Sequence, residues 1–107
     1  MENKMHETRI DLPEKERIEI VGLLNKTLAS VLDLYAQLKQ AHWNVKGPEF
    51  MPLHLLFDTI AEEVEEQADI IAERIMALGG TAFGTIQEIA SNTELETYPT
   101  NIFLGTD

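Results

Sequence analysis

Two histidines and three carboxylates stand at spacings that suit a metal site. They are His42, His54, Asp58, Asp69 and Glu73. The last four fall on one side of a single predicted helix, and His42 lies near the end of the helix before it. Imidazole nitrogen combined with carboxylate oxygen suits non-haem iron or a similar divalent ion. These residues therefore predict a metal centre.

The alternative for each of these residues is a structural role. A lone histidine on an apolar stripe is more often a satisfied core residue than a ligand, and acidic helix faces are usually solvated. We expect plain solvation for Glu63 and Glu66, which lie further toward the polar side. Between Asp58 and Arg74, however, seven acids stand without a basic residue. Like charges one turn apart destabilise a helix by roughly 0.2–0.5 kcal/mol per pair, a cost that is plausible where a cation later binds.

Two long helices must position these side chains. Asp11, with Glu14 three residues later, predicts a helix start, and this helix is expected to run to Val45. Its apolar stripe alternates by four and three residues through Leu24, Leu28, Val31, Tyr35, Leu38, His42 and Val45. Lys46-Gly47-Pro48 ends it, because glycine permits a left-handed cap and proline cannot continue a helix.

A second helix is predicted from near Pro52 to about Leu78, where Gly79-Gly80 ends it. Its apolar arc holds Phe57, Ile60, Ala61, Val64, Ala68, Ile71, Ile75 and Leu78. We expect a short helix around Ile86 to Ala90 in the loop that follows. The remaining predictions are a flexible polar tail over residues 1–10, a turn at Tyr98-Pro99 and a further element from Ile102 to Leu104.

The spacing of the two aspartates predicts an assembly. Asp58 and Asp69 are 11 residues apart, or about 16 Å along a helix axis, so one chain cannot bring both to one metal ion. An antiparallel copy of the same helix, related by a two-fold axis near Glu63–Val64, would place His54 and Asp58 of one subunit beside Asp69 and Glu73 of the other. Because a two-fold contact is self-complementary, two equivalent sites would form.

Composition narrows the class of protein. The chain has 107 residues, which is one small domain at most, and its formal net charge of −11 opposes unaided binding to nucleic acid. It has no cysteine, which excludes disulfides and thiolate metal sites and fits a reducing cytosol. No apolar run is long enough to span a membrane, and the N-terminus lacks a signal-peptide core. We expect a soluble cytoplasmic protein.

Residues 42–58 read His-Trp-Asn-Val-x-Gly-x-x-Phe-x-x-Leu-His-x-x-x-Asp, and Asp69-x-x-Ala-Glu73-Arg74 follows. This pattern closely resembles the Dps family, the mini-ferritins of bacteria and archaea, over about residues 15–107. The generic ferritin pattern of Glu-x-x-His pairs within one bundle is absent. The resemblance implies an all-α fold of the ferritin-like four-helix bundle family. This chain supplies the first two long helices and the connecting loop, so residues 11–107 form the N-terminal half of such a domain.

The resemblance also implies a function and a set of site residues. Family members form hollow twelve-subunit shells, oxidise Fe(II), often with hydrogen peroxide, and store Fe(III). By resemblance, His42, His54 and Asp58 of one subunit and Asp69 and Glu73 of its two-fold mate bind mono- or di-iron. Trp43 would relay an electron, quench a radical or simply pack. The expected partners are therefore Fe(II), hydrogen peroxide or dioxygen, and further copies of the chain.

Two alternatives stay open at this point. One is a DNA-compacting protein, which is disfavoured because residues 1–13 carry a net charge of −1 (Lys4 and Arg9 against Glu2, Glu7 and Asp11). The other is a truncated, inactive remnant, because the chain stops near the point where family members begin their third long helix. A hairpin of two long helices with broad apolar faces does not bury a finished core without association.

Overall fold

The computed structural model describes residues 5–97, and within them it contains three helices and no strand. Helix α1 spans Glu14–Asn44, α2 spans Phe50–Ala77 and the short α3 spans Ile86–Asn92. Helices α1 and α2 form an antiparallel hairpin, and α3 lies against α1. The prediction of an all-α chain built on two long helices is confirmed. The predicted turn at Tyr98-Pro99, the element from Ile102 and the first four tail residues lie outside the described residues.

The start of α1 differs from the prediction. Asp11 does not begin the helix. Pro13, the residue directly before α1, has an extended conformation (φ −57°, ψ 144°) and makes no side-chain cap. The Pro13 carbonyl accepts the first helical bond, from the N–H of Arg17 at 3.0 Å. Arg17 also donates from Nε to the Leu12 carbonyl at 3.1 Å. A side chain inside the helix thus holds the preceding chain, and the expected capping box does not form.

The turn between the long helices depends on one glycine. Gly47 has a φ of 98°, the left-handed conformation that glycine adopts without steric cost, and its carbonyl accepts the N–H of Phe50 at 3.1 Å. Helix α2 begins at Phe50, two residues before the predicted start. Pro52 consequently lies in the first turn, where a missing N–H loses no helical bond. This turn brings the end of α1 close to the beginning of α2.

The C-terminal end of α2 packs closely against the core residue Val21 of α1. Gly79 has a φ of 86°, and the N–H of Gly80 bonds to the Ile75 carbonyl at 3.0 Å. A Cβ atom at Gly80 would lie 2.5 Å from Cγ1 of Val21, so only glycine allows this close approach. The predicted Gly79-Gly80 stop is confirmed, with the helix ending at Ala77.

The core lies between the two predicted apolar faces. The buried residues of its main cluster are Val21, Leu28, Ala68, Ile75 and Leu78. The remaining residues of both predicted stripes are buried or half-buried, His42 among them. Large apolar side chains also remain exposed on both helices, including Leu23, Leu34, Leu55 and Ile70. The periodicity therefore identified the packed faces, while the hairpin leaves further apolar surface uncovered.

A buried asparagine that the periodicity did not reveal connects α1 to the segment after α2. Asn25 is 1% exposed. Its Nδ2 donates to the Thr81 carbonyl at 2.9 Å, and its Oδ1 accepts the N–H of Phe83 at 3.0 Å. Both ends of the amide are therefore used, as a buried polar side chain requires.

Replacing Asn25 with alanine is expected to lower the free energy of unfolding by about 1–3 kcal/mol, because buried backbone groups lose a hydrogen-bond partner. Urea unfolding followed by far-UV circular dichroism measures the change. Asn44→Ala is the matched control, because the exposed Asn44 side chain donates to the Gln40 carbonyl within its own helix. We expect the control to change stability by less than about 0.5 kcal/mol. Equal losses in the two variants would contradict the role assigned to Asn25.

The segment before α1 lies against the end of α2. The N–H of His6 donates to the Gly79 carbonyl at 2.6 Å, and Arg17 Nη1 donates to the Leu78 carbonyl at 2.9 Å. Met5 and Ile10 pack against the core. Residues 5–10, expected as part of a flexible tail, are thus tied to the end of the hairpin that lies far from His42 and His54.

Candidate metal centre

His42 and His54 face each other across the turn between α1 and α2. The His54 Nδ1 lies 2.6 Å from the His42 carbonyl oxygen, and the His42 Nδ1 makes the reciprocal hydrogen bond to the His54 carbonyl. The two rings are stacked, with centroids 3.7 Å apart and planes inclined by 20°. The ring of Phe50 packs at 5.0 Å from that of His54. The hairpin turn therefore places two half-buried imidazoles side by side.

The reciprocal bonds determine which ring nitrogen is available to a metal ion. A carbonyl oxygen only accepts hydrogen bonds, so Nδ1 carries the hydrogen in both rings. In the neutral ring Nε2 then keeps its lone pair, which is the group that binds a metal ion. A backbone carbonyl bonded to the other ring nitrogen is a usual support for metal-binding histidines. Nε2 is therefore the nitrogen that either ring could offer to a metal ion.

Asp58 lies one turn after His54 and is paired with a lysine. Lys39 Nζ is 2.6 Å from Asp58 Oδ1. The hydrogen bond from Lys39, and the positive charges near Asp58, hold the pKa of this carboxyl below its ordinary value. The same hydrogen bond raises the pKa of Lys39. The spacing of the candidate ligands did not indicate Lys39, although a basic residue three positions before His42 on the same helix was the available signal.

A second polar contact joins the helices one turn further into the hairpin. The Glu65 carboxylate near Tyr35 raises the pKa of this tyrosine, because it favours the neutral hydroxyl and would repel the ionised form. Tyr35 and Lys39 are four residues apart on α1 and therefore lie on the same face. Between them they pair with two of the acids on α2.

Asp69 and Glu73 lie on α2 as predicted, but one chain does not bring them to the histidines. Both are exposed, and because α2 is continuous from Phe50 to Ala77 they stand about 16 Å or more beyond Asp58 and His54 along its axis. Within residues 5–97, no three histidine, cysteine, aspartate or glutamate side chains come close enough together to hold a metal ion. His54 and Asp58 at the start of α2 are therefore separated from Asp69 and Glu73 on the same helix, while His42 lies on α1.

Trp43, the predicted redox residue, follows His42 at the end of α1. Its side chain is 69% exposed. A large apolar ring held in solvent is unusual for an isolated subunit and typical of a contact surface. The packing role considered from the sequence is thus not fulfilled within the described part of one chain.

The comparisons with known proteins agree with this helical architecture. Residues 21–103 match the ferritin-like domain family. The chain therefore belongs to the ferritin-like family. No helix in the described part of the chain is both long and apolar enough to cross a membrane.

Within that family the chain is similar to Dps proteins, which confirms the resemblance seen in the motifs. The DNA protection during starvation protein of Agrobacterium fabrum is 48% identical over 100 residues, covering 94% of this chain and 62% of that protein. The structure of DpsC from Streptomyces coelicolor is 33% identical with a TM-score of 0.87, covering 92% of this chain and 58% of that one.

The Dps protein of Vibrio cholerae O1, described as a member of a broad superfamily of ferritin-like diiron-carboxylate proteins, gives the same fold. It is 26% identical with a TM-score of 0.87, and the match covers 98% of this chain and 65% of that one. The chain thus spans less than two thirds of the length of each of these three proteins.

Proposed function

We propose that this chain is a Dps-like ferroxidase subunit that oxidises Fe(II) at a site shared between two copies and so protects the cell from oxidative damage. The observation that carries the proposal is the His42–His54 pair. Both rings have Nδ1 committed to a backbone carbonyl, and the carboxylate of Asp58 lies one helical turn away. The donors fit iron, because imidazole and carboxylate together are ligands of non-haem iron.

A second copy of the chain would complete the site. If two α2 helices lie antiparallel with their two-fold axis beside Glu63–Val64, residue 54 of one faces residue 73 of the other. Residue 58 then faces residue 69. Each site would combine His42, His54 and Asp58 of one subunit with Asp69 and Glu73 of its mate, and the two-fold axis generates two such sites.

The surface around the acidic stripe supports this arrangement. Met51 and Leu55 precede Asp58 by seven and three residues, and Met76 follows Asp69 by seven, so helical spacing places them on the same side. All three side chains are more than half exposed. Met51 and Met76 are also related by the same axis near residues 63–64. In a two-fold contact, the apolar side chains at both ends of the polar stripe would bury apolar surface against the second copy. The carboxylates between them would remain available to the metal ions.

The residues do three things in the proposed reaction. The histidines and carboxylates bind two substrate Fe(II) ions together, and carboxylate oxygens favour Fe(III) over Fe(II), which eases the loss of an electron from each. Hydrogen peroxide accepts the two electrons and two protons and leaves as two water molecules, so no hydroxyl radical is released. Trp43, next to His42 in the sequence, would give an electron to a stray one-electron oxidant.

Fe(II) oxidation by hydrogen peroxide under anaerobic conditions, followed by absorbance, tests the proposal. We expect rapid oxidation by the chain and at least about a tenfold loss of rate in Asp58→Asn and in Glu73→Gln, since each removes a carboxylate that favours Fe(III). Glu19→Gln is the matched control, because Glu19 is an exposed acid on α1 that belongs to neither the site nor the proposed two-fold contact. Oxidation no faster than in buffer, or equal losses in Glu19→Gln and Glu73→Gln, would contradict the proposal.

We do not propose that the chain binds DNA directly, although the Agrobacterium fabrum relative is named a DNA protection protein. The formal net charge of −11 would repel a polyanion. Retardation of DNA by the chain in a low-salt gel would contradict this expectation.

The lack of cysteine fits the reducing cytoplasm, where we propose that the protein works.

A further inference from the structure

Two exposed methionines lie near the two ends of α2, just outside the candidate ligands on that helix. Met51 precedes His54 by three residues, and Met76 follows Glu73 by three. Their side chains are 57% and 59% exposed, although methionine is an apolar residue that is more often buried. Each methionine is therefore open to solvent in the single chain and lies about one helical turn from a candidate ligand.

Helical spacing places both methionines on the side of α2 that carries the candidate aspartates. Met51 precedes Asp69 by 18 residues, and Met76 follows Asp58 by 18, a separation of about five complete turns. In the proposed two-fold contact Met51 of one copy faces Met76 of the other, because the midpoint of each of these pairs lies between residues 63 and 64. The contact would therefore bury two methionine pairs, one beside each shared site.

The thioether group of methionine reacts with the oxidant of the proposed reaction. A sulfur lone pair bonds to one oxygen of hydrogen peroxide, the O–O bond breaks, and the other oxygen leaves as water with both hydrogens. Sulfur loses two electrons, peroxide gains them, and the product is methionine sulfoxide. Met5, by contrast, is half-buried and packs against the core, so it should react more slowly than the two exposed methionines.

A sulfoxide at either position would oppose the two-fold contact. Its oxygen needs a hydrogen-bond donor, but the facing side chain is a methionine, which has none to offer. The ionised carboxylate of Glu73, one turn from Met76, has only acceptor oxygens. Burial of a polar group without a hydrogen-bond partner is unfavourable, so chains oxidised while separate would pair poorly.

We propose that Met51 and Met76 are modification sites for hydrogen peroxide, and that their oxidation to sulfoxides blocks the two-fold pairing of the chain. This inference rests on the proposed function, since it assumes that two α2 helices pair and that peroxide is the oxidant. When peroxide remains after Fe(II) is consumed, oxidation of separate chains stops further shared sites from forming. Enzymatic reduction of the sulfoxides restores the apolar side chains, and pairing with them.

Treatment of the metal-free chain with hydrogen peroxide, followed by peptide mass spectrometry and analytical ultracentrifugation, tests this inference. We expect Met51 and Met76 to gain an oxygen before Met5 does. The dissociation constant of the dimer should then rise at least about tenfold, because the sulfoxides have no partners in the contact. Treatment with methionine sulfoxide reductase should return the constant to its original value.

Three variants separate the effect of the sulfoxides from other damage. Met51→Leu with Met76→Leu keeps apolar side chains of similar volume and should pair like the unaltered chain, both before and after peroxide. Met51→Gln with Met76→Gln introduces polar groups and should weaken pairing without any peroxide. Leu23→Gln is the matched control, because Leu23 is 69% exposed on α1, outside the proposed contact. It should change the dissociation constant by less than about twofold.

The outcomes distinguish this inference from the function on which it rests. If the untreated chain does not pair, the proposed shared site fails and the inference with it. If the chain pairs but Met51 and Met76 are oxidised no faster than Met5, or pairing survives their oxidation, the inference alone is overturned. Equal loss of pairing by the leucine variant after peroxide would overturn it as well. Circular dichroism identifies any variant that does not fold, and the oxidation of the unaltered chain decides the question without the variants.

Discussion

Two inactive variants of this chain are expected to regain Fe(II) oxidation when their subunits are mixed. One variant, His54→Ala with Asp58→Asn, lacks the ligands at the start of α2. The other, Asp69→Asn with Glu73→Gln, lacks those further along the same helix. A dimer with one subunit of each kind contains one site in which every ligand is intact and one in which both halves are altered. The expectation follows because the structure places the two groups about 16 Å apart on one continuous helix.

The size of the recovery can be calculated from the symmetry. Random reassociation of equal amounts makes half of the dimers mixed, and each of these has one intact site of two, so about a quarter of the unaltered activity should return. The measurement is peroxide-dependent Fe(II) oxidation after the variants are unfolded and refolded together. A mixture of His54→Ala and Asp58→Asn is the control, because both changes fall on the same half of the site and no mixed dimer is intact. Recovery in the control, or none in the first mixture, would contradict a shared site.

The second large effect is expected in the core, at Ile75. This side chain is completely buried between the long helices, against Val21 and the Gly80 backbone. Ile75→Ala is expected to lower the free energy of unfolding by about 2–5 kcal/mol, which combines lost apolar burial with the cavity that remains. Because small domains are only marginally stable, a loss of this size removes much of the total. Urea unfolding followed by circular dichroism measures it.

Ile70→Ala controls for the loss of the same side chain from the same helix. Ile70 is 55% exposed, so its truncation should change stability by no more than about 0.5 kcal/mol. All measurements need the same protein concentration, because association contributes to apparent stability. If Ile70→Ala destabilised the protein as much as Ile75→Ala, the exposed face of α2 would be buried in the assembly to the same extent as the core.

The sequence determined the helices, the faces that pack and the order of the candidate ligands. Periodicity at three and four residues depends only on helix geometry, so the stripes through Leu28 and Ile75 could be assigned without coordinates. The glycine stops were equally local, because Gly47 and Gly79 adopt backbone conformations that other residues avoid. The start of α1 was missed, because the interaction of Arg17 with the chain before the helix competes with the expected cap.

Only the tertiary structure decided how the functional groups meet. His42 and His54 are 12 residues apart, Lys39 and Asp58 19, and Asn25 and Thr81 56. Such contacts depend on the position of α2 along the axis of α1, which the turn at Gly47 sets. The spacing of residues within one helix does not determine this position. The sequence thus identified candidate metal ligands. The packing of the two helices determined that Nδ1 of both imidazoles bonds to a backbone carbonyl and that Lys39 pairs with Asp58.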